Sequence, residues 1–305
     1  MFDKTFLVKN VVNSLLKHDF EVLLSRGCFD IAAKRKTGKQ GQLMLIKILV
    51  NIDSMDEQQA LSLRAVSYFM SAYPFIIAVK NNRGVLERTT VYDRFGLPVV
   101  APELFESILE EDAYAAQSAK GRHTIEIDTG TLREKRKELQ FTLEELAALV
   151  GISKKALYEI EAKRVNPTEE TVKKLEIALK TELKETYKPT TAEETHLRPT
   201  SDFQSKISKE LKRIGIDNSP VQSAPVEIVG KEEFSVMTVL SKNAAKMKHE
   251  AMAVKKLSDI FSSRAFFVAK KTKEHEVEGV PVLKEDELPE IDTAKELKKL
   301  IEEKE

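Results

Sequence analysis

FTLEELAALVGISKKALYEIEAKRVNPTEETVKKL, residues 141–175, is the stretch from which the rest of the chain is read. Thr142 followed three residues later by Glu145 is a capping-box pattern, so a helix starts at Leu143. Leu146, Ala147 and Val150 give it one apolar face. Gly151 ends it, because glycine takes the left-handed conformation at little cost. Ser153 caps a further helix. Its Ala156, Leu157 and Ile160 turn inward, so Lys154, Lys155, Tyr158 and Glu159 face outward. Asn166-Pro167-Thr168 opens another helix, with Glu169 and Glu170 in the first turn, where the helix dipole favours acids. Leu175 and Leu179 continue the core.

Residues 131–180 resemble the lambda-repressor/Cro type of helix-turn-helix domain, the XRE family. The resemblance rests on Leu132, Arg133 and Arg136, on TLEELA at 142–147, and on the Gly151-Ile152-Ser153 turn. It also rests on Ile160-Glu161 and on Arg164, Asn166 and Pro167. It implies an all-α domain, spanning 122–187 here, that docks on double-stranded DNA. It implies a structural ion pair between Arg136 and Glu161. Lys154, Lys155 and Glu159 fall where the family reads base edges, Tyr158 is an additional contact, and Arg164 and Asn166 fall where it grips phosphate. The chemistry agrees: lysine donates to guanine O6 and N7, glutamate accepts from cytosine N4, and the start of a recognition helix enters the major groove. A solvated helical face on a protein-binding domain would carry the same lysines; the full domain pattern favours DNA. The family usually has glutamine in the first turn of its second helix, contacting phosphate. Leu143 stands there, which removes one polar contact.

The flanking pieces, 1–116 and 202–305, resemble each other. FIIAVK at 75–80 precedes GLPVVAPELFESI at 96–108, and FFVAKK at 266–271 precedes GVPVLKEDELPEI at 279–291. ALSLRAVSYFM at 60–70 shares its apolar rhythm with AMAVKKLSDIF at 251–261, and LMLIKIL at 43–49 aligns with FSVMTVL at 234–240 at the same offset of 191. CFDIAAK at 28–34 parallels PVEIVGK at 225–231. Constant spacing and a shared G-x-P-V motif predict an internal duplication. Each copy reads as helix, strand, strand, helix, strand, closing strand, helix. The near-continuous apolar strands belong to a sheet covered on both faces. Residues 188–201, KPTTAEETHLRPTS, read as a linker, and a second boundary lies near 117–131, where TIEID alternates like a short strand.

The outer copies also resemble restriction-endonuclease-like folds, in degenerate form. Those folds bind magnesium with an Asp on one strand and an acid-x-Lys on the next. Asp30 and Lys47 stand in those places, but Leu45 replaces the second acid. In the second copy the positions are Glu227, Val236 and Thr238. Both copies are therefore expected to be non-catalytic, with no cofactor and no metal.

Composition sets the frame. The 305 residues are 42% hydrophobic and 32% charged, with 49 basic and 49 acidic side chains. Residues 131–187 hold 12 Lys/Arg against 11 Asp/Glu, a net of +1, so attraction to phosphate must come from local arrangement. No apolar run reaches the roughly 18 residues of a membrane helix, no secretory leader is evident, and Cys28 is the only cysteine. These point to the cytoplasm. His18, His123, His196, His249 and His275 show no metal-ligand spacing. KRKTGK at 34–39 reads as a solvated basic loop, and TAKELKKLIEEKE at the C-terminus as an exposed helix. The layout as a whole resembles a group of archaeal transcriptional regulatory proteins. It implies a sequence-specific DNA-binding regulator, working as a homodimer through outer domains that assemble or sense. The alternatives are a nuclease-derived DNA-processing protein targeted by the helix-turn-helix, and a protein-interaction scaffold.

Overall fold

The computed structural model describes residues 3–36, 42–111, 113–119, 122–241 and 244–304. The first piece runs α1 (Lys4–Lys17), β1 (Phe20–Leu24), β2 (Ile31–Arg35), β3 (Leu43–Asn51), α2 (Glu57–Phe69), β4 (Tyr73–Asn81), β5 (Gly84–Val85), β6 (Thr90–Arg94), β7 (Leu97–Val100) and α3 (Pro102–Leu109). The middle contains β8 (Ala116–Ala119), β9 (Arg122–Ile125), α4 (Thr129–Glu138), α5 (Leu143–Val150), α6 (Lys154–Glu161) and α7 (Glu169–Leu179). The last piece runs α8 (Asp202–Arg213), β10 (Asp217–Pro220), β11 (Ile228–Lys231), β12 (Ser235–Ser241), α9 (Ala244–Phe261), β13 (Arg264–Ala269), β14 (Glu276–Val277), β15 (Val280–Lys284) and α10 (Ala294–Lys304).

These elements form two compact units that do not follow chain order. One comprises 1–77, 95–97 and 190–305; the other comprises 78–94 and 98–189. The first unit thus holds most of one repeat copy and all of the other. Its sheets run β1-β2-β3-β4 and β10-β11-β12-β13-β15-β14. In both copies the leading strands are antiparallel, with Ile31 opposite Ile46 and Ile228 opposite Thr238. In the second copy α9 crosses between the parallel strands β12 and β13, the arrangement that a helical crossover allows. The copies pack on each other reciprocally. The crossover helix α2 lies against β11 of the other copy, and α9 lies against β2 and β1. Phe29 and Phe261 meet in this contact with ring centroids 6.3 Å apart.

Several expectations are corrected. Each copy has a leading edge strand, β1 or β10, that the apolar pattern did not announce. Backbone pairing aligns β3 with β12 at an offset of 192, one more than expected, so the counterparts of Leu45 and Lys47 are Met237 and Val239. Insertions in the intervening loops let each strand keep its own offset. The C-terminal helix α10 is not merely exposed: Leu297 and Ile301 are fully buried among Leu211, Phe266 and Leu283. Residues 188–200 carry no helix or strand, yet Thr195 is buried and His196 stands edge-on to Phe69 at 5.6 Å. In the KRKTGK segment, Lys34 and Arg35 end β2, and residues 37–39 lie outside the described residues.

The second unit carries strands β7-β6-β8-β9 and helices α4–α7. The segment near 117–131 carries two strands before α4: β8 pairs in parallel with β6, Thr90 opposite Ala116, and antiparallel with β9. Ile125 and Ile127 join Leu132, Leu146, Val150, Leu157, Val172 and Leu175 in one core. The Ile125 amide donates to the Pro167 carbonyl at 2.9 Å, tying β9 to the loop before α7.

Candidate DNA-binding face

Helices α5 and α6 are fixed by their ends. The Glu145 amide donates to Thr142 Oγ1 at 3.2 Å, and the Thr142 amide donates to Glu145 Oε2 at 2.8 Å, which closes the capping box. Gly151 has φ 77° and ψ 34°, so the turn out of α5 uses a conformation that disfavours any side chain with a Cβ. Ser153 Oγ accepts from the Ala156 amide at 3.0 Å and starts α6. Arg136 of α4 then clamps α6. Its Nε and Nη2 donate to Glu161 Oε1 and Oε2 at 2.6 and 3.1 Å, and its Nη1 donates to the Phe141 carbonyl at 3.0 Å. The Glu161 hydrogen bonds hold the arginine pKa above its ordinary value. Glu161 is buried, so this forked pair sits where charge-assisted hydrogen bonds are strong.

The outward face of α6 carries Lys154, Lys155 and Tyr158, all exposed, and Glu159, half-buried. Lys154 Nζ lies 3.2 Å from Glu144 Oε2 of α5. Lys155 has no ion pair among the described residues. Arg164 lies beyond the end of α6. Its guanidinium carbon sits 5.5 Å from the Tyr158 ring centre, and its Nη1 is 3.3 Å from Glu159 Oε1. Asn166 is half-buried beside the buried Pro167. Tyr158, Glu159 and Arg164 are therefore one cluster. Glu144 is a residue that the sequence did not single out; its link to Lys154 crosses from one helix to the next. Leu143 packs at the edge of the helical core, so its side chain serves the interior.

The other candidate chemistry lies around Asp30. Its Oδ1 is 2.9 Å from Lys4 Nζ and 3.6 Å from Lys47 Nζ, and its Oδ2 accepts from the Ile48 amide at 2.8 Å. Lys47 also donates to the Gly27 carbonyl at 2.5 Å, and Leu45 is fully buried. One carboxylate already engaged by two ammonium groups and an amide does not fit magnesium, which takes hard, anionic oxygen ligands. Glu227 is the counterpart in the second copy: its Oε2 accepts from the Leu240 amide at 2.9 Å. Burial raises its pKa, against the lowering effects of that amide and of Lys246. Next to Asp30, burial pushes the Cys28 thiol up to about 12, so it is protonated and inert at neutral pH.

Residues 4–114 match the PD-(D/E)XK superfamily domain, and residues 132–185 match the helix-turn-helix family. A protein of Methanothermobacter thermautotrophicus named "Putative HTH-type transcriptional regulatory protein" is 30% identical over 308 residues, covering 98% of this chain and 96% of the relative. The chain belongs to this HTH-type regulator family. Relatives of the same name are 27% identical in Methanocaldococcus jannaschii, over 97% of this chain and 96% of the relative, and 26% identical in Methanobrevibacter smithii, over 100% and 99%. No solved structure matches.

This HTH-type regulator therefore combines a PD-(D/E)XK-like domain, a central helix-turn-helix and a second α/β copy. Among the described residues no helix is long and apolar enough to cross a membrane. One further grouping was invisible to spacing: His196 Nε2 lies 3.0 Å from Glu194 Oε1 and 3.8 Å from Asp217 Oδ1, at the surface. The partners come from the linker and from an edge strand that the sequence did not announce.

Proposed function

We propose that the protein is a sequence-specific DNA-binding transcriptional regulator of the cytoplasm, and that α6 enters the major groove. The observation that carries this is the clamped α6, locked to α4 through Arg136 and Glu161 with Lys154 and Lys155 projecting to solvent. Lys154, Lys155 and Glu159 read base edges, Tyr158 adds a contact, and Arg164 and Asn166 hold phosphate. A mobility shift on a selected operator tests it. Lys154→Ala with Lys155→Ala should weaken specific binding by at least about tenfold and reduce the salt slope. Unchanged affinity and unchanged salt dependence would overturn the assignment.

One helix-turn-helix per chain favours a homodimer on paired half-sites about 34–36 Å apart. Because α2 with β11 and α9 with β2 are already engaged within the chain, the dimer contact must use other surfaces. The outer copies assemble or sense and do not catalyse, a reading supported by Asp30 held by Lys4 and Lys47 beside Leu45. The nuclease reading retains weight from the PD-(D/E)XK match. Plasmid incubated with magnesium or manganese should stay intact; cleavage abolished by Asp30→Ala or Lys47→Ala would overturn the non-catalytic reading.

A further inference from the structure

A cavity of about 500 Å³ opens in the second copy, at the junction of α9, the start of β13 and α10. Three cations line it, Lys255, Arg264 and Lys298, with Asp259 in the same wall and Glu302 paired to Arg264. Each cation is held in place by its own contact. Lys255 Nζ donates to the Gly279 carbonyl at 3.2 Å, Lys298 Nζ rests 5.7 Å from the Phe234 ring centre, and Arg264 Nη2 reaches Glu302 Oε1 at 2.7 Å.

The first copy lacks this arrangement. At the 191 offset, Arg264 corresponds to Tyr73. Lys255 corresponds to Arg64, whose Nη1 donates to the Phe95 carbonyl at 3.3 Å much as Lys255 donates to Gly279. The framework cation is thus common to both copies, and the guanidinium is particular to the second.

We propose that this cavity binds a small phosphorylated ligand, with Lys255, Arg264 and Lys298 around the phosphoryl oxygens. A forked guanidinium and two ammonium groups suit a dianionic phosphoryl group better than a single carboxylate. The volume admits a body of nucleoside size beyond the phosphate. The site is separate from the helix-turn-helix and does not depend on the DNA reading.

The test is calorimetric titration of the full chain with inorganic phosphate and with adenosine 5′-monophosphate, at constant ionic strength and against chloride. Both probes should bind. Affinity should fall by at least about tenfold in Lys255→Met with Lys298→Met, which remove two direct charge contacts. Absence of binding by either probe, or equal affinity in the variant, overturns the proposal. So does loss of DNA affinity in the lysine variants without phosphate binding, which would make the cavity a grip on the nucleic-acid backbone.

Discussion

Lys231 of the second copy donates to Ser71 Oγ of the first at 2.7 Å, and the contact has a mirror image: Lys34 donates to Ser262 Oγ at 2.5 Å. Lys34 and Lys231 hold equivalent places in β2 and β11. Ser71 and Ser262 follow the two crossover helices, with φ of 53° and 50°. The copies therefore face each other around a local two-fold axis, as the subunits of a symmetric dimer would. Each lysine should contribute about 1 kcal/mol. Lys34→Ala and Lys231→Ala should each lower the thermal midpoint by a few degrees without changing DNA affinity; a midpoint unchanged in both would show that the contacts are incidental.

The Arg136–Glu161 pair supports a sharper expectation. Removing Arg136 leaves the buried Glu161 carboxylate with only Arg133, whose Nε lies 3.9 Å from it, at a cost of up to about 3–5 kcal/mol. Arg136→Met should therefore unfold the helical unit well before the rest in urea. Arg136→Met with Glu161→Leu should recover much of the loss, since an apolar pair leaves no stranded charge. A double variant no better than the single one would contradict this account.

Leu143 packs at the margin of the core, so Leu143→Gln should cost about 1 kcal/mol of stability. The same change restores the polar group of related domains, and operator affinity should rise severalfold. A fall in both quantities would mean that the leucine orients α5 for docking.

Glu144 holds Lys154 at 3.2 Å with both side chains exposed, a pair worth at most about 1 kcal/mol. Glu144→Gln should free the lysine and remove a negative charge near the DNA. Non-specific affinity at low salt should rise about threefold to tenfold and specificity should fall. An unaltered ratio of specific to non-specific binding would argue against this.

The acid limb of stability follows from Asp128. The Thr131 hydroxyl, then the Thr131 and Gly130 amides, hold its carboxyl below the ordinary value of 3.8, although burial acts the other way. A carboxyl depressed in the folded state stabilises at pH above its unfolded value and loses that contribution as pH falls through the folded one. Glu145 behaves alike, lowered by the Thr142 amide and hydroxyl. Denaturant midpoints of the helical unit should decline below roughly pH 4, and Asp128→Asn should flatten that decline. An identical acid limb in the variant would remove Asp128 from the explanation.

The helical unit was legible because its signals are local. Thr142, Gly151 and Ser153 act on their own neighbours, and the apolar period carries Leu146, Leu157 and Leu175 inward. The strands β3, β4, β12 and β13 were legible as apolar runs. The edge strand β10 was not, because Asp217-Asn218-Ser219-Pro220 opposes strand propensity. Tertiary contacts override it: buried Asn218 donates to the Ser208 and Ile216 carbonyls at 3.1 and 3.0 Å and accepts from Ser208 Oγ at 2.7 Å. Proline is tolerated there because an edge strand has spare hydrogen-bonding positions. The pairing of the copies was hidden for a different reason. Linker and pieces read in order suggest beads on a string, while Lys34–Ser262 joins residues that no local pattern relates. In the candidate interface, the outward lysines could be read but the Glu144 counter-charge could not, since it lies on the preceding helix.

Phe29 and Phe261 meet across the paired copies, and this sets a timetable for synthesis. At about 5–20 residues per second, the partner of Phe29 is made roughly 10–50 s later. During that interval the faces of β1 and β2 that α9 will cover are open, with a complete DNA-reading unit already translated between them. Nascent chains are thus exposed to pairing with the wrong copy, on a neighbouring chain, and folding yield should depend on how crowded the ribosomes are.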